Sequence, residues 1–148
     1  LSKEIKHIQN YIELESIRYG SRLDLSFNVT GPVVSKNIAP LILLPFVENA
    51  FKHGVSNEHR EWWFTIDLKI KGDTLLFKVE NSISTNKSTN LLGYKGGIGL
   101  KNVRRRLELL YPSKHQLNIV KEQEAHWVDL KLEIQHAYQY EKDPVPAY

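Results

Sequence analysis

"LILLPFVENAFKHG", residues 41–54, is apolar enough for a core helix yet carries Glu48, Asn49, Lys52 and His53 close together. At roughly 100° of rotation per residue, with Glu48 at zero, Lys52 falls at about 40°, Asn49 at about 100° and His53 at about 140°. Leu43, Phe46, Val47, Ala50 and Phe51 fall between about 160° and 300° by the same rotation. Polar and apolar groups separate, so the stretch predicts an amphipathic helix over 40–54. A solvated outer face is the ordinary explanation of such a stripe. Its composition argues for more, because outer faces are usually rich in Lys and Glu, whereas Asn and His are mediocre helix formers. A neutral amide oxygen beside a carboxylate suits a hard cation, since Mg²⁺ takes only one or two protein oxygens and completes its shell with phosphate and water. Lys52 and His53, one turn on, can meet phosphate oxygens. The stretch is a candidate metal–phosphate face.

Working outward, "LSKEIKHIQNYIELESIRYG" spaces Leu1, Ile5, Ile8 and Ile12 by four, three and four, which predicts an amphipathic helix closing at Gly20. That stripe can pack on the domain or continue upstream as a dimer-forming coil. "RLDLSFNV" alternates Leu23, Leu25, Phe27 and Val29, a half-buried strand. After the opening helix, "WWFTIDLKI" and "TLLFKVEN" flank the turn "KGD" and predict a hairpin. Ser82 to Gly97 is polar, glycine-containing and without period, a long loop. "IGLKNVRRRLELLY" is helical with Leu100, Val103, Leu107 and Leu110 on one face, and Pro112 stops it. "HQLNIV" and "HWVDLKLEI" are two more strands, and "YEKDPVPAY" reads as a loose tail. Adjacent strands without strict strand–helix alternation favour an α+β layer sandwich over a doubly wound parallel sheet.

The 148 residues suit one domain with a single core, and 41% hydrophobic with 25% charged residues are ordinary globular values. A net charge of +3, spread along the chain, accords with an anionic ligand and gives little ground for a nucleic-acid protein. There is no Cys, hence neither disulfide framework nor thiolate chemistry, and no run approaches a membrane span. The sequence also holds no Met, even at position 1, so a piece of a longer polypeptide is expected.

A second constellation is "GYKGGIGLKN", residues 93–102. Gly96, Gly97 and Gly99 precede a helix whose first amides lack intrahelical partners, and such a start attracts anions. Glycine-rich loops before helices are also common as plain turns, and neither a P-loop nor a dinucleotide fingerprint is present. Lys101 and Arg104 lie close enough to serve the same anion, while the outer arginines suit a solvated basic face. A third piece is Asn81 with Ser82, where a strand enters the loop. Both are ordinary turn residues, but the amide oxygen of Asn81 can also accept a hydrogen bond from an adenine amine.

Together, "LLPFVENAFKHG", "VENS" and "GGIGLKNVRRRLELLYP" resemble, in order, the N, G1 and G2 boxes of the GHKL ATPases, which include histidine kinases, gyrases, heat-shock chaperones and mismatch-repair ATPases. The wording is most similar to LytS-like sensor histidine kinases, and "YIELESIRYGSRL" fits their pattern too. The resemblance covers residues 5–135. It implies a Bergerat fold, a two-layer α/β sandwich whose mixed sheet carries helices on one face, with ATP between that layer and a lid loop. It implies that Asn49 binds Mg²⁺ and that Glu48 is the base or water-orienting carboxylate. Lys52 and His53 would lie near the phosphates, Asn81 at the adenine, and Gly97, Gly99, Leu100, Lys101 and Asn102 around the phosphates. The family's G1 box usually reads Asp-x-Gly. Here Asn81 replaces Asp and no glycine follows, which predicts a modest nucleotide affinity. The Ser84–Lys95 lid is short and polar, as expected of a loop that orders on nucleotide.

The resemblance further implies residues 1–20 as a connecting helix, 21–136 as the ATP-binding catalytic domain and 137–148 as a tail. It implies phosphoryl transfer to a histidine in an upstream segment of the same polypeptide or its dimer mate, then to a response regulator. The parent is expected to be a homodimer anchored in the bacterial inner membrane, with this domain cytoplasmic. His7, His59, His115, His126 and His136 read as surface histidines, so self-phosphorylation by this piece alone is not expected. The alternatives are a degenerate nucleotide-binding or dimerisation module, supported by the altered G1 box, and a basic nucleic-acid binder suggested by "KNVRRR" with Trp62–Trp63.

Overall fold

The computed structural model describes residues 1–54, 61–83, 97–122 and 124–136. The expected lid and tail, Gly96 and His59 lie outside them. Helix α1 (Ser2–Tyr19) ends at Gly20, whose φ of 59° only glycine adopts without strain. Its stripe, Leu1, Ile5, Ile8 and Ile12, is buried in the domain's own core.

After a 3-10 turn at Gly20–Arg22 come β1 (Leu23–Thr30), the short β2 (Lys36–Asn37), α2 (Leu44–Gly54), β3 (Trp62–Lys71) and β4 (Thr74–Ser82). Then follow α3 (Ile98–Leu110), β5 (His115–Lys121), β6 (Ala125–Glu133) and β7 (Gln135–His136). Five strands form one sheet in the order β1-β3-β4-β6-β5. β1 runs parallel to β3 and the other neighbours pair antiparallel, so the sheet is mixed. The β3–β4 hairpin turns at Gly72, with φ 57°, beside Asp73.

Strand alternation sets the layers. Trp62, Phe64, Ile66, Leu68 and Ile70 of β3 are buried, as are Leu75, Phe77 and Val79 of β4 and Val128, Leu130 and Leu132 of β6. Helix α2 lies across β3, β4 and β6 on this face, with α1 and α3 packed against it. Phe51 of α2 stacks on Phe64 with ring centroids 4.4 Å apart, and Phe46 meets Phe77 at 6.4 Å. The opposite face carries alternating polar residues and is only partly covered. β2 and β7 pair antiparallel as a separate two-stranded sheet, beside which the buried Lys36 ammonium lies 2.6 Å from the Asp73 carboxylate.

Helix α2 begins at Leu44, later than the expected position 40. The cause is the preceding backbone, where Leu41 has φ 55°. Three contacts hold that segment. Ala39 N–H donates to the Tyr111 hydroxyl at 2.7 Å, Leu41 N–H donates to Glu4 at 2.7 Å, and the Arg106 guanidinium donates to the Leu41 carbonyl at 2.9 Å.

Candidate nucleotide site

The α2 residues divide by which edge of the helix they occupy. Phe51, on one edge, meets Tyr11 of α1 edge-on at 5.5 Å. Asn49 and His53 fall toward the other edge by helical rotation, and α3 also packs against α2. Glu48 and Lys52 are exposed and His53 is half-buried, whereas Asn49 is only 7% exposed. The polar face expected from helical rotation is therefore narrower than drawn: Asn49 lies at its margin, and the packing of neighbouring elements covers it. Glu48 also acts on the Tyr11 hydroxyl, whose pKa is pushed up chiefly by burial and then by the charges of Glu15 and Glu48.

Arg106 and Tyr111, late in or just after α3, reach the segment that enters α2. The end of α3 thus lies beside the segment that leads into α2. Gly97 caps α3 without any side-chain hydrogen bond. Gly97, Gly99, Lys101 and Asn102 are exposed, and among the described residues a Cβ added at either glycine meets nothing within 4 Å. Leu100 is different. Its side chain is in the core at 3% exposure, leaving only its backbone to meet an anion. Arg104 and Arg105 are exposed, while Arg106 is committed to the carbonyls of Pro40 and Leu41.

Asn81, the penultimate residue of β4, lies under the last turn of α2 and is fully buried. Its Nδ2 donates to the Ser82 carbonyl at 2.9 Å, and its Oδ1 has no partner among the described residues. Such an orphaned buried acceptor is unusual in a native fold and calls for a donor. Gly54, the last residue of α2, is the close neighbour: a Cβ there would lie 2.7 Å from Asn81 Nδ2 and 2.8 Å from Phe64 Cζ.

No family model matches the chain. It is 31% identical over 111 residues to the uncharacterised protein YwpD of Bacillus subtilis, covering 71% of this chain and 40% of that protein. To the sensor protein LytS of Staphylococcus epidermidis it is 27% identical over 128 residues, 80% of this chain and 22% of LytS. The sensor histidine kinase BtsS of Escherichia coli is 25% identical over 127 residues, 85% of this chain and 22% of BtsS. Among solved structures, a histidine kinase domain from Erythrobacter litoralis superposes with a TM-score of 0.61 at 14% identity, covering 86% of this chain and 59% of that one. The histidine kinase ThkA, in complex with the response regulator protein TrrA, gives a TM-score of 0.58 at 12% identity, covering 90% of this chain and 40% of that one. By sequence the chain is similar to the LytS-like sensor histidine kinases, and its fold is that of histidine kinase catalytic domains.

The chain spans 22% to 40% of the length of these curated relatives. In this LytS-like domain the mixed sheet with helices on one face is the architecture the motifs implied. No helix among the described residues is long and apolar enough to cross a membrane. Trp62 is buried at 3% and Trp63 is 40% exposed, so adjacent alternation sends the two rings to opposite faces and leaves no paired aromatic platform for nucleic acid.

One expectation is overturned by the structure. His126 is not a surface histidine but is 3% exposed, because β6 alternates and His126 shares the inward face with Val128, Leu130 and Leu132. The alternation visible in "HWVDLKLE" carries that signal. Glu4 and Gly54 were also passed over, since neither the three amide hydrogens that meet Glu4 nor the ring above Gly54 is near it in sequence.

Proposed function

We propose that this chain is the ATP-binding catalytic domain of a two-component sensor histidine kinase. It passes the γ-phosphoryl group of ATP to a histidine upstream in the same polypeptide or its dimer mate, and a response regulator receives it next. The parent is read as a homodimer anchored in the bacterial inner membrane, with this domain in the cytoplasm, as the resemblance implies. The observation that carries the proposal is that α3, with its uncapped, glycine-led start, packs against α2, the helix that bears Asn49.

The residues present fit the nucleotide: the orphaned Asn81 Oδ1 is the acceptor that a 6-amino purine would satisfy. Bound ATP with Mg²⁺ supplies an electrophilic phosphorus whose surrounding charge the cation offsets. Asn49 offers the cation a neutral oxygen, and exposed Lys52 offsets phosphate charge with His53 beside it. The amides of Ile98, Gly99 and Leu100 would meet phosphate oxygens along the dipole of α3, since Lys101 N–H already donates to the Gly97 carbonyl at 3.3 Å, with the Lys101 side chain and Asn102 on the same exposed turn. Glu48, adjacent to Asn49 and exposed, is positioned to hold or accept the proton of an incoming imidazole. Positioning and charge neutralisation, more than covalent chemistry by the protein, then lower the barrier.

Calorimetry of the chain with ATP, with and without Mg²⁺, tests this. Wild type should gain affinity with Mg²⁺, and Asn49→Ala should lose at least about tenfold in Mg²⁺ and little without it. A chain that binds no ATP, or an Asn49→Ala variant with an unaltered Mg²⁺ response, refutes the assignment.

A further inference from the structure

The run "KNVRRR" sets three arginines in a row, and the structure directs them differently. Arg104 and Arg105 are exposed on α3. Arg106 turns to the segment that leads into α2, where Nη1 donates to the Leu41 carbonyl at 2.9 Å and Nη2 to the Pro40 carbonyl at 2.5 Å. Successive carbonyls of an extended strand point to opposite sides; here, with Leu41 left-handed at φ 55°, the two converge on one guanidinium. The Pro40 carbonyl and the Leu41 N–H also belong to one peptide unit. Its oxygen accepts from Arg106, and its hydrogen is donated to Glu4 at 2.7 Å. A single peptide of the lead-in therefore lies between a carboxylate of α1 and a guanidinium of α3, and each hydrogen bond polarises it in the sense that strengthens the other. Tyr111, just past α3, adds a second tie by accepting Ala39 N–H at 2.7 Å.

Resting on the nucleotide reading above, we infer that Arg106 is a positioning residue, which sets the spacing of α2 and α3 needed for Mg²⁺-dependent triphosphate binding without touching the nucleotide. The proposed site is divided between these two helices, which pack together. Asn49 on α2 meets the cation and the first amides of α3 meet phosphate oxygens, so binding with Mg²⁺ engages both helices at once. Adenosine, which has no phosphate, does not. Arg106 stands eight residues after Ile98, about 12 Å along α3, and Asn49 stands five residues after Leu44, about 8 Å along α2. The guanidinium is thus committed to backbone carbonyls about two turns from the phosphate-binding end of its own helix. A charged fork on two acceptors is stronger and more directional than a neutral hydrogen bond. Lysine, a point charge, does not reproduce it.

The test is calorimetry on wild type, Arg106→Lys and Arg106→Gln with adenosine, and with ATP and inorganic tripolyphosphate in the presence and absence of Mg²⁺. Arg106→Gln should lose about tenfold in affinity for ATP and for tripolyphosphate with Mg²⁺, and less than about twofold without it. Adenosine should bind as it does to wild type. Arg106→Lys, which keeps the charge but not the fork, should fall between. Equal losses with and without Mg²⁺ would show Arg106 acting directly on the phosphates. A folded Arg106→Gln with wild-type affinity for ATP and Mg²⁺ would show a structural role alone. Either result overturns the inference. Nitrogen NMR of the wild-type guanidinium gives a readout that does not depend on any variant folding. Rotation of the Arg106 guanidinium should be slow both before and after saturation with ATP and Mg²⁺, and a freely rotating group in either state would also overturn the inference. A wild type that binds neither ATP nor tripolyphosphate instead overturns the nucleotide reading and, with it, the role of Arg106.

Discussion

The Glu4 carboxylate, in the first turn of α1, accepts the backbone N–H of Leu43 at 2.8 Å, 39 residues along the chain. The same oxygen takes Leu44 N–H at 3.1 Å and the second oxygen takes Leu41 N–H at 2.7 Å. Leu44 opens α2, so one buried carboxylate serves amides at a helix start that has no intrahelical partners, where negative charge is also favoured by the helix dipole. Replacing Glu4 by Ala should strand these donors and cost about 3 kcal/mol, lowering the melting temperature by roughly 10 °C for a domain of this size. Glu4→Gln should fall between. Urea denaturation measures both, and a loss below about 1 kcal/mol for Glu4→Ala would contradict the role assigned here.

Leu41 lies between two of these anchors, its N–H on Glu4 and its carbonyl on Arg106, in a left-handed conformation with φ 55°. A leucine there costs about 1–2 kcal/mol relative to the right-handed region. Its side chain is 46% exposed, so little burial is at stake. Leu41→Gly should therefore be neutral or stabilising by up to about 0.5 kcal/mol, after the larger unfolded-state entropy of glycine is subtracted. A loss of more than about 1 kcal/mol in equilibrium denaturation would show that the side chain, not the backbone, matters at this position.

The buried His126 gives stability a pH dependence of definite sign. Folded, its imidazole takes a proton only near pH 4, against an ordinary value of 6.5 in the unfolded chain. Between those values the unfolded state binds more protons, so stability rises with pH and falls as the solution is acidified. From pH 7.5 to pH 5 this one group should cost about 2 kcal/mol. His126→Gln lacks the titration and should lose less stability over that interval by about the same amount. Parallel urea curves for the two proteins at both pH values decide the matter, and identical losses would place His126 in contact with water.

The sequence showed most clearly what is periodic and local. Leu100, Val103 and Leu107 announced α3, although Leu110, expected on the same face, is 53% exposed in its last turn; the alternation in "WWFTIDLKI" announced β3, and "KGD" announced the hairpin that Gly72 closes. The two-residue strands β2 and β7 were illegible, because neither has a pattern long enough to carry a period. The start of α2 was misplaced, since rotation of apolar residues says nothing about a left-handed Leu41 held from two other helices. At the site, "VENAFKHG" named Asn49 but not its burial, which depends on how neighbouring elements pack. The burial of His126 is written in the alternation of its strand, which exposure statistics for a lone histidine do not carry.

Gly54 offers the sharpest coupling of stability to binding. Ala in place of Gly within a helix normally gains up to about 1 kcal/mol through lower unfolded-state entropy. At Gly54 the new Cβ would lie 2.7 Å from Asn81 Nδ2 and 2.8 Å from Phe64 Cζ. Neither neighbour retreats easily: Phe64 is stacked on Phe51 at 4.4 Å with rings 9° from parallel, and the Asn81 amide is tied to the Ser82 carbonyl. Overpacking of this kind costs about 1–3 kcal/mol, so Gly54→Ala should be less stable than wild type. The strain falls on the residue proposed to read the base. Gly54→Ala should accordingly weaken ATP binding severalfold while leaving tripolyphosphate binding near its wild-type value. Denaturation and calorimetry on the same preparation check both halves. A stabilised variant would show that α2 ends with more room above β4 than these distances allow, whereas a destabilised variant with unaltered ATP affinity would separate Asn81 from the nucleotide.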